Sequence, residues 1–154
     1  RLSVGGPLPR NLVRGFCQAL SPQDVLLGWD DAFYPDDADD LIEALDGEGY
    51  LTITDPELAW GEFDHVEQFC KANGIPFDLH VSAKYEYDAQ LTQFRPGSEP
   101  RTVPANEVGA AVVEAETVGE ALAFLKEGKV EAAVALLEAL LPKLSALPPF
   151  TIVD

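Results

Sequence analysis

Leu2-Ser3-Val4-Gly5-Gly6-Pro7 returns in outline as Leu51-Thr52-Ile53-Thr54-Asp55-Pro56. The shared pattern is a leucine, a hydroxyl residue, a β-branched residue, two turn positions and a proline. Each copy is followed by a helical pattern ending in a related tetrad, Phe16-Cys17-Gln18-Ala19 in the first and Phe69-Cys70-Lys71-Ala72 in the second. Each copy therefore reads as a short strand, a proline-marked turn and an amphipathic helix, a weak internal repeat around which the rest of the chain is organised.

The helices follow from apolar spacing. Leu12, Val13, Phe16, Cys17 and Leu20 share one face of a 3.6-residue period, and Pro9 suits a first turn, where a missing N–H costs nothing. In the second copy the stripe is Phe63, Val66, Phe69 and Cys70. Asn73-Gly74 stops it, because glycine accepts the left-handed conformation that closes a helix, and Pro76 forbids continuation. Between the copies Ala38, Leu41, Ile42 and Leu45 mark another helix, with acids on its other side. Val118, Leu122 and Leu125, then Gly128, then Val130, Val134, Leu137 and Leu141 read as a helical hairpin.

Phe77-Asp78-Leu79-His80-Val81 alternates apolar and polar residues, as a half-buried strand does. Residues 90–95 form a second run closed by Pro96-Gly97, with residues 84–89 completing a hairpin, and Phe150-Thr151-Ile152-Val153 is a last strand. The expected fold is α+β: a small mixed sheet with helices packed on one face, arranged as a split βαβ unit, plus a C-terminal helical hairpin. A single domain spans residues 1–154. Its parts are an α/β core over 1–97, an extended connection over 98–117 containing Pro100 and Pro104, the hairpin over 118–145, and the strand over 150–153.

Charge is distributed unevenly. No Lys or Arg occurs between Arg14 and Lys71, while fifteen of the twenty-seven acids do, so this stretch carries most of the formal charge of −17. Such a field repels nucleic acid and anionic membrane and attracts basic surfaces. No run of apolar residues is long enough for a membrane helix, no signal peptide is visible, and two cysteines make neither a disulfide framework nor a metal pattern. A cytoplasmic location is the expectation.

The strongest candidate surface is the run Asp36-Asp37-Ala38-Asp39-Asp40 with Glu43, extended by Asp30 and Asp31 and flanked by Trp29 and Trp60. Acids on a helix face approach the charge density of DNA, and aromatics among them offer anchors for a basic protein. The plainer reading is helix physics, since acids in a first turn are stabilised by the helix dipole. An EF-hand fails, because a loop begun at Asp37 has Leu41 and Ile42 where a ligand and a glycine belong. His65 beside Asp64, and His80 two residues after Asp78, are candidates for a small site if their helix and strand converge, but no zinc spacing supports them. Cys17 and Cys70 lie on apolar stripes and read as buried hydrophobes.

The sequence thus favours a non-catalytic binding protein with no cofactor and no metal. It would engage a basic protein partner, in the sharpest form as a DNA-mimicking inhibitor or accessory factor, without touching nucleic acid or membrane. The alternatives are an enzyme or small-ligand domain near His65 and His80, and a structural or oligomerisation module. That module would be a homodimer assembled through the 130–144 helix, whose Leu136, Leu137, Leu140, Leu141 and Leu144 make a wide apolar band.

Overall fold

The computed structural model describes residues 1–22, 25–27, 31–55, 63–85 and 88–154, with the side chain of Asp31 excepted. In chain order come β1 (Leu2–Val4), β2 (Pro7–Pro9), a 3-10 turn (Arg10–Leu12), α1 (Val13–Leu20), β3 (Leu26–Leu27), β4 (Asp31–Ala32) and α2 (Ala38–Glu43). There follow β5 (Leu51–Thr54), α3 (Asp64–Asn73), β6 (Phe77–Val81), β7 (Gln90–Phe94) and β8 (Arg101–Pro104). The chain closes with α4 (Ala115–Lys126), α5 (Val130–Leu140) and β9 (Thr151–Val153).

Seven strands form one sheet in the order β4-β3-β5-β1-β6-β7-β8, and every neighbouring pair is antiparallel. β1 lies between β5 and β6 and runs opposite to both, so β5 and β6 are parallel to each other with α3 connecting them. This is the split βαβ arrangement, within an α+β fold. Alternation decides the faces. Leu2 stands opposite Ile53 and Leu79, and Val4 opposite Leu51 and Phe77, and these six side chains are buried together. Ser3, Thr52 and Asp78 point to the other side.

Onto the apolar face pack α1 and α3, through Val13, Phe16, Cys17 and Leu20 from the first and Val66 and Cys70 from the second. The two tetrads of the repeat meet here, with the Phe16 and Phe69 rings 5.7 Å apart. α2 adds Leu41 to the same core. The α3 stop works as its sequence implies: Gly74 has φ of 66°, and the Ile75 N–H reaches the Cys70 carbonyl at 2.9 Å.

The stretch expected as an extended connection contains β8, which pairs with β7 and is the outermost strand. An edge strand tolerates proline at its end because one side of its backbone has no ladder partner, so Pro104 does not break it. The leucine band expected over 130–144 ends as helix at Leu140, leaving Leu144 beyond it.

Gly5-Gly6 is where the chain's last segment docks. Gly6 donates its N–H to the Pro148 carbonyl at 2.9 Å, and its own carbonyl accepts from the Thr151 N–H at 3.0 Å. β9 then pairs in parallel with β2, and Phe150 enters the core beside Phe16, with ring centroids 6.3 Å apart. A Cβ on Gly5 would run into the Pro148 carbonyl oxygen and the Leu147 side chain, so this crossing requires glycine.

α4 and α5 pack on each other. Their turn is a Schellman closure: Gly128 has φ of 74°, its N–H reaches Leu125 O at 3.1 Å, and the Lys129 N–H reaches Phe124 O at 2.9 Å. Among their residues Ala121 and Ala133 are the buried ones.

Candidate functional site

The acid run begins α2, and two of its members hold the helix start together. Asp37 is the N-cap, its Oδ1 accepting the N–H groups of Asp39 at 2.9 Å and Asp40 at 3.1 Å. Asp40 reaches back with Oδ2 to the Asp36 N–H at 2.8 Å. Such a cap is worth about 1 kcal/mol, so helix physics accounts for those two positions. It does not account for Asp36 and Glu43 as acids, whereas Asp39, in the first turn, is favoured by the helix dipole. All five are exposed, and among the described residues no Lys or Arg forms an ion pair with any of them.

Beside this run Tyr34, 60% exposed, joins Arg14, Cys17, Gln18, Ser21, Pro35 and Asp36 in lining a groove of about 280 Å³. The field is felt there. Burial, then the charges of Asp40, Asp36 and Asp37, push the Cys17 thiol up to about 11. Trp29, Asp30 and Trp60 lie outside the described residues, as does the side chain of Asp31, whose backbone forms part of β4.

The two histidines do not converge. His65 is exposed on α3, which covers the face bearing Phe77 and Leu79. His80 points from the same strand to the opposite face, where its Nε2 lies 3.0 Å from the Asn106 carbonyl. The sheet separates them, because a helix packed on one face cannot reach residues of the other parity.

His80 instead lines a cleft of about 530 Å³ on that far face, together with Ser3, Thr52, Tyr50, Asp46 and Asp78. The cleft is knitted to itself. Asp46 Oδ1 accepts the N–H groups of Glu48 at 3.0 Å and Tyr50 at 2.9 Å, and its Oδ2 accepts the Thr52 hydroxyl at 2.8 Å. Burial alone would raise this carboxyl, but the hydrogen bonds from Tyr50, Thr52 and Glu48 outweigh it and hold it below its ordinary value. Because Thr52 spends its proton on Asp46, the Ser3 hydroxyl donates to Thr52 at 2.9 Å. Tyr50 donates to the Leu147 carbonyl at 3.0 Å. Asp78 is bound by Arg95 at 2.8 Å and by the Gln93 amide at 3.2 Å. Burial lowers the His80 pKa from its ordinary value, which favours the neutral ring.

Sequence reasoning did not find Asp46 or the Arg95–Asp78 pair. Asp46-Gly47-Glu48-Gly49 carries a turn composition that would have marked the first. Arg95 and Asp78 meet through strand pairing, which a single sequence does not display. Cys70 is fully buried and pushed up to about 12, chiefly by burial. Both thiols are thus core side chains and poor nucleophiles. Among the described residues no group of three or more His, Cys, Asp or Glu could hold a metal ion, and no helix is long and apolar enough to cross a membrane.

No protein-family model matches the chain, no curated protein is significantly similar to it, and no solved structure significantly matches its fold.

Proposed function

We propose that this protein is a non-catalytic binding protein that captures a basic protein partner through the acidic surface around α2. The supporting observation is the set of five exposed carboxylates, Asp36, Asp37, Asp39, Asp40 and Glu43, with no cation paired to any of them among the described residues. Surfaces without such a role usually intersperse both signs. Tyr34, exposed at the rim, supplies an aromatic contact of the kind that slows dissociation. Charge would accelerate encounter, and a partner whose basic surface also binds DNA would be withheld from it. The reading includes a cytoplasmic location and needs no cofactor.

A small-ligand site in the far-face cleft is the second reading, motivated by its volume and by His80 and Asp78 in its lining. It ranks below the first because most of the polar groups lining the cleft already hydrogen-bond to the protein.

The test is a lysate pull-down between about 0.01 M and 1 M salt, over which the screening length falls from about 30 Å to 3 Å. The comparison chain carries Asp36→Asn, Asp37→Asn, Asp39→Asn, Asp40→Asn and Glu43→Gln. Asparagine caps a helix as well as aspartate does, so α2 keeps its start. Discrete basic proteins held by the native chain at low salt, and absent from the variant, are the expected result. Equal recovery from both chains, or recovery insensitive to salt, would sink the reading.

A further inference from the structure

The geometry points to a homodimer in which two copies of the α4–α5 hairpin meet face to face as a four-helix bundle. The inference starts from which way the side chains face. At 3.6 residues per turn, and with Ala121 aimed at α5, Val118, Leu122 and Leu125 lie roughly 40–100° to one side of that direction. With Ala133 aimed at α4, Val130, Val134 and Leu141 lie the same angular distance away in the same rotational sense. The short turn makes the helices antiparallel. On antiparallel helices equal rotation brings both stripes to the same side of the pair. The exposures agree: Leu122 is 51% exposed, Val130 56% and Leu141 62%, whereas Phe124, Leu136 and Leu140 near the seam are half-buried.

The result is one continuous apolar face, two helices wide, with only alanine buried behind it. Six such side chains, each about half exposed, present on the order of 500 Å² of apolar surface, near the top of what a monomer ordinarily shows. Two copies would remove roughly twice that, the size at which specific interfaces begin. The occupant is a second copy because none of the six side chains carries a charge and the doubled area reaches dimer size, so the face can pair with itself across a two-fold axis. A lipid surface is disfavoured: the hairpin carries five glutamates against Lys126 and Lys129, and the chain as a whole is at −17. Interfacial helices are instead edged with basic residues. The sequence pattern points to the final helix alone; the structure adds α4 and fixes the side. This inference is independent of the acidic-surface reading.

Analytical ultracentrifugation of the full chain from low micromolar to several hundred micromolar tests it. The expected mass is twice 16.7 kDa, falling to the single-chain value in a Leu122→Glu, Val134→Glu variant with unchanged circular dichroism. A native chain that stays monomeric throughout, whether free or co-sedimenting with phosphatidylcholine vesicles, overturns the proposal. A variant that remains dimeric overturns it equally. If the variant loses helix, hydrogen exchange of the native chain decides. Protection over 115–141 that rises with concentration supports the dimer, and protection independent of concentration refutes it.

Discussion

α1 and α3 are shorter than α4 and α5, yet the shorter pair holds the molecule together. The first two bury Phe16, Leu20, Val66 and both cysteines against the sheet, while the second two bury one alanine each among their own residues. Apolar content does not explain the difference, since the hairpin is rich in leucine and valine. What differs is a partner surface: β1, β5 and β6 offer alternating apolar rows to α1 and α3, and among the described residues no strand row faces the hairpin's outer side. Burial depends on what lies opposite a stripe as much as on the stripe itself.

The largest test of this contrast is Phe16→Ala against Leu125→Ala. Loss of the Phe16 ring, which touches Phe69 and Phe150, should lower the unfolding free energy in urea by about 3–5 kcal/mol. Leu125→Ala, at protein dilutions where the chain is a single copy, should change it by less than about 1 kcal/mol. Equal costs would erase the distinction between the two regions.

A smaller effect is expected from Asp46→Ala in the turn that leads into β5. The N–H groups of Glu48 and Tyr50 and the Thr52 hydroxyl would lose their acceptor, at a cost of about 1–2 kcal/mol, as for a lost helix cap. Asp46→Asn should recover part of that cost, and no difference between the two variants would show that the turn is held by backbone alone.

The smallest is a pH effect from two groups that line the far-face cleft. The His80 pKa lies below its ordinary 6.5 in the folded chain, for which burial is the main cause. As pH falls through 6.5 the unfolded chain takes up the proton first, so this contribution to stability is complete above that value and declines below it. Asp46, held below 3.8, acts in a more acid window: its contribution is present above 3.8 and is lost as pH falls through its lowered folded value. Urea midpoints between about pH 5 and 7 should slope downward toward acid, and His80→Asn should flatten that slope. An unchanged slope would assign it elsewhere.

Much of the body was legible because strands and helices with one buried face write their period into the chain. β6 follows from Phe77, Leu79 and Val81, α3 from Val66 and Cys70 with its Asn73-Gly74 stop, and the hairpin from its split at Gly128. Where structure arises from distant pairing, the chain is silent. β8 is a strand because β7 is beside it, whereas Pro100 and Pro104 suggested only an extended connection. Gly5-Gly6 reads as two turn positions, and nothing local shows that it is also the seat of residues 148–151. His65 and His80 appeared able to meet until the sheet was placed between them. Of the acidic site, Asp37 and Asp40 were legible as helix-start residues and are, while the aromatic rim at Trp29 and Trp60 falls outside the described residues.

The Gly5–Pro148 crossing also sets a timetable. β1, the strand at the middle of the sheet, is synthesised before its partners β5 and β6, which emerge roughly fifty and seventy-five residues later. The segment that closes over Gly5 and Gly6 follows them by roughly 140 residues. At about 5–20 residues per second, the oldest strand waits on the order of ten seconds for its final contacts. Leu2 and Val4, buried at the centre of the sheet, are therefore secured only after residues 148–151 have been made.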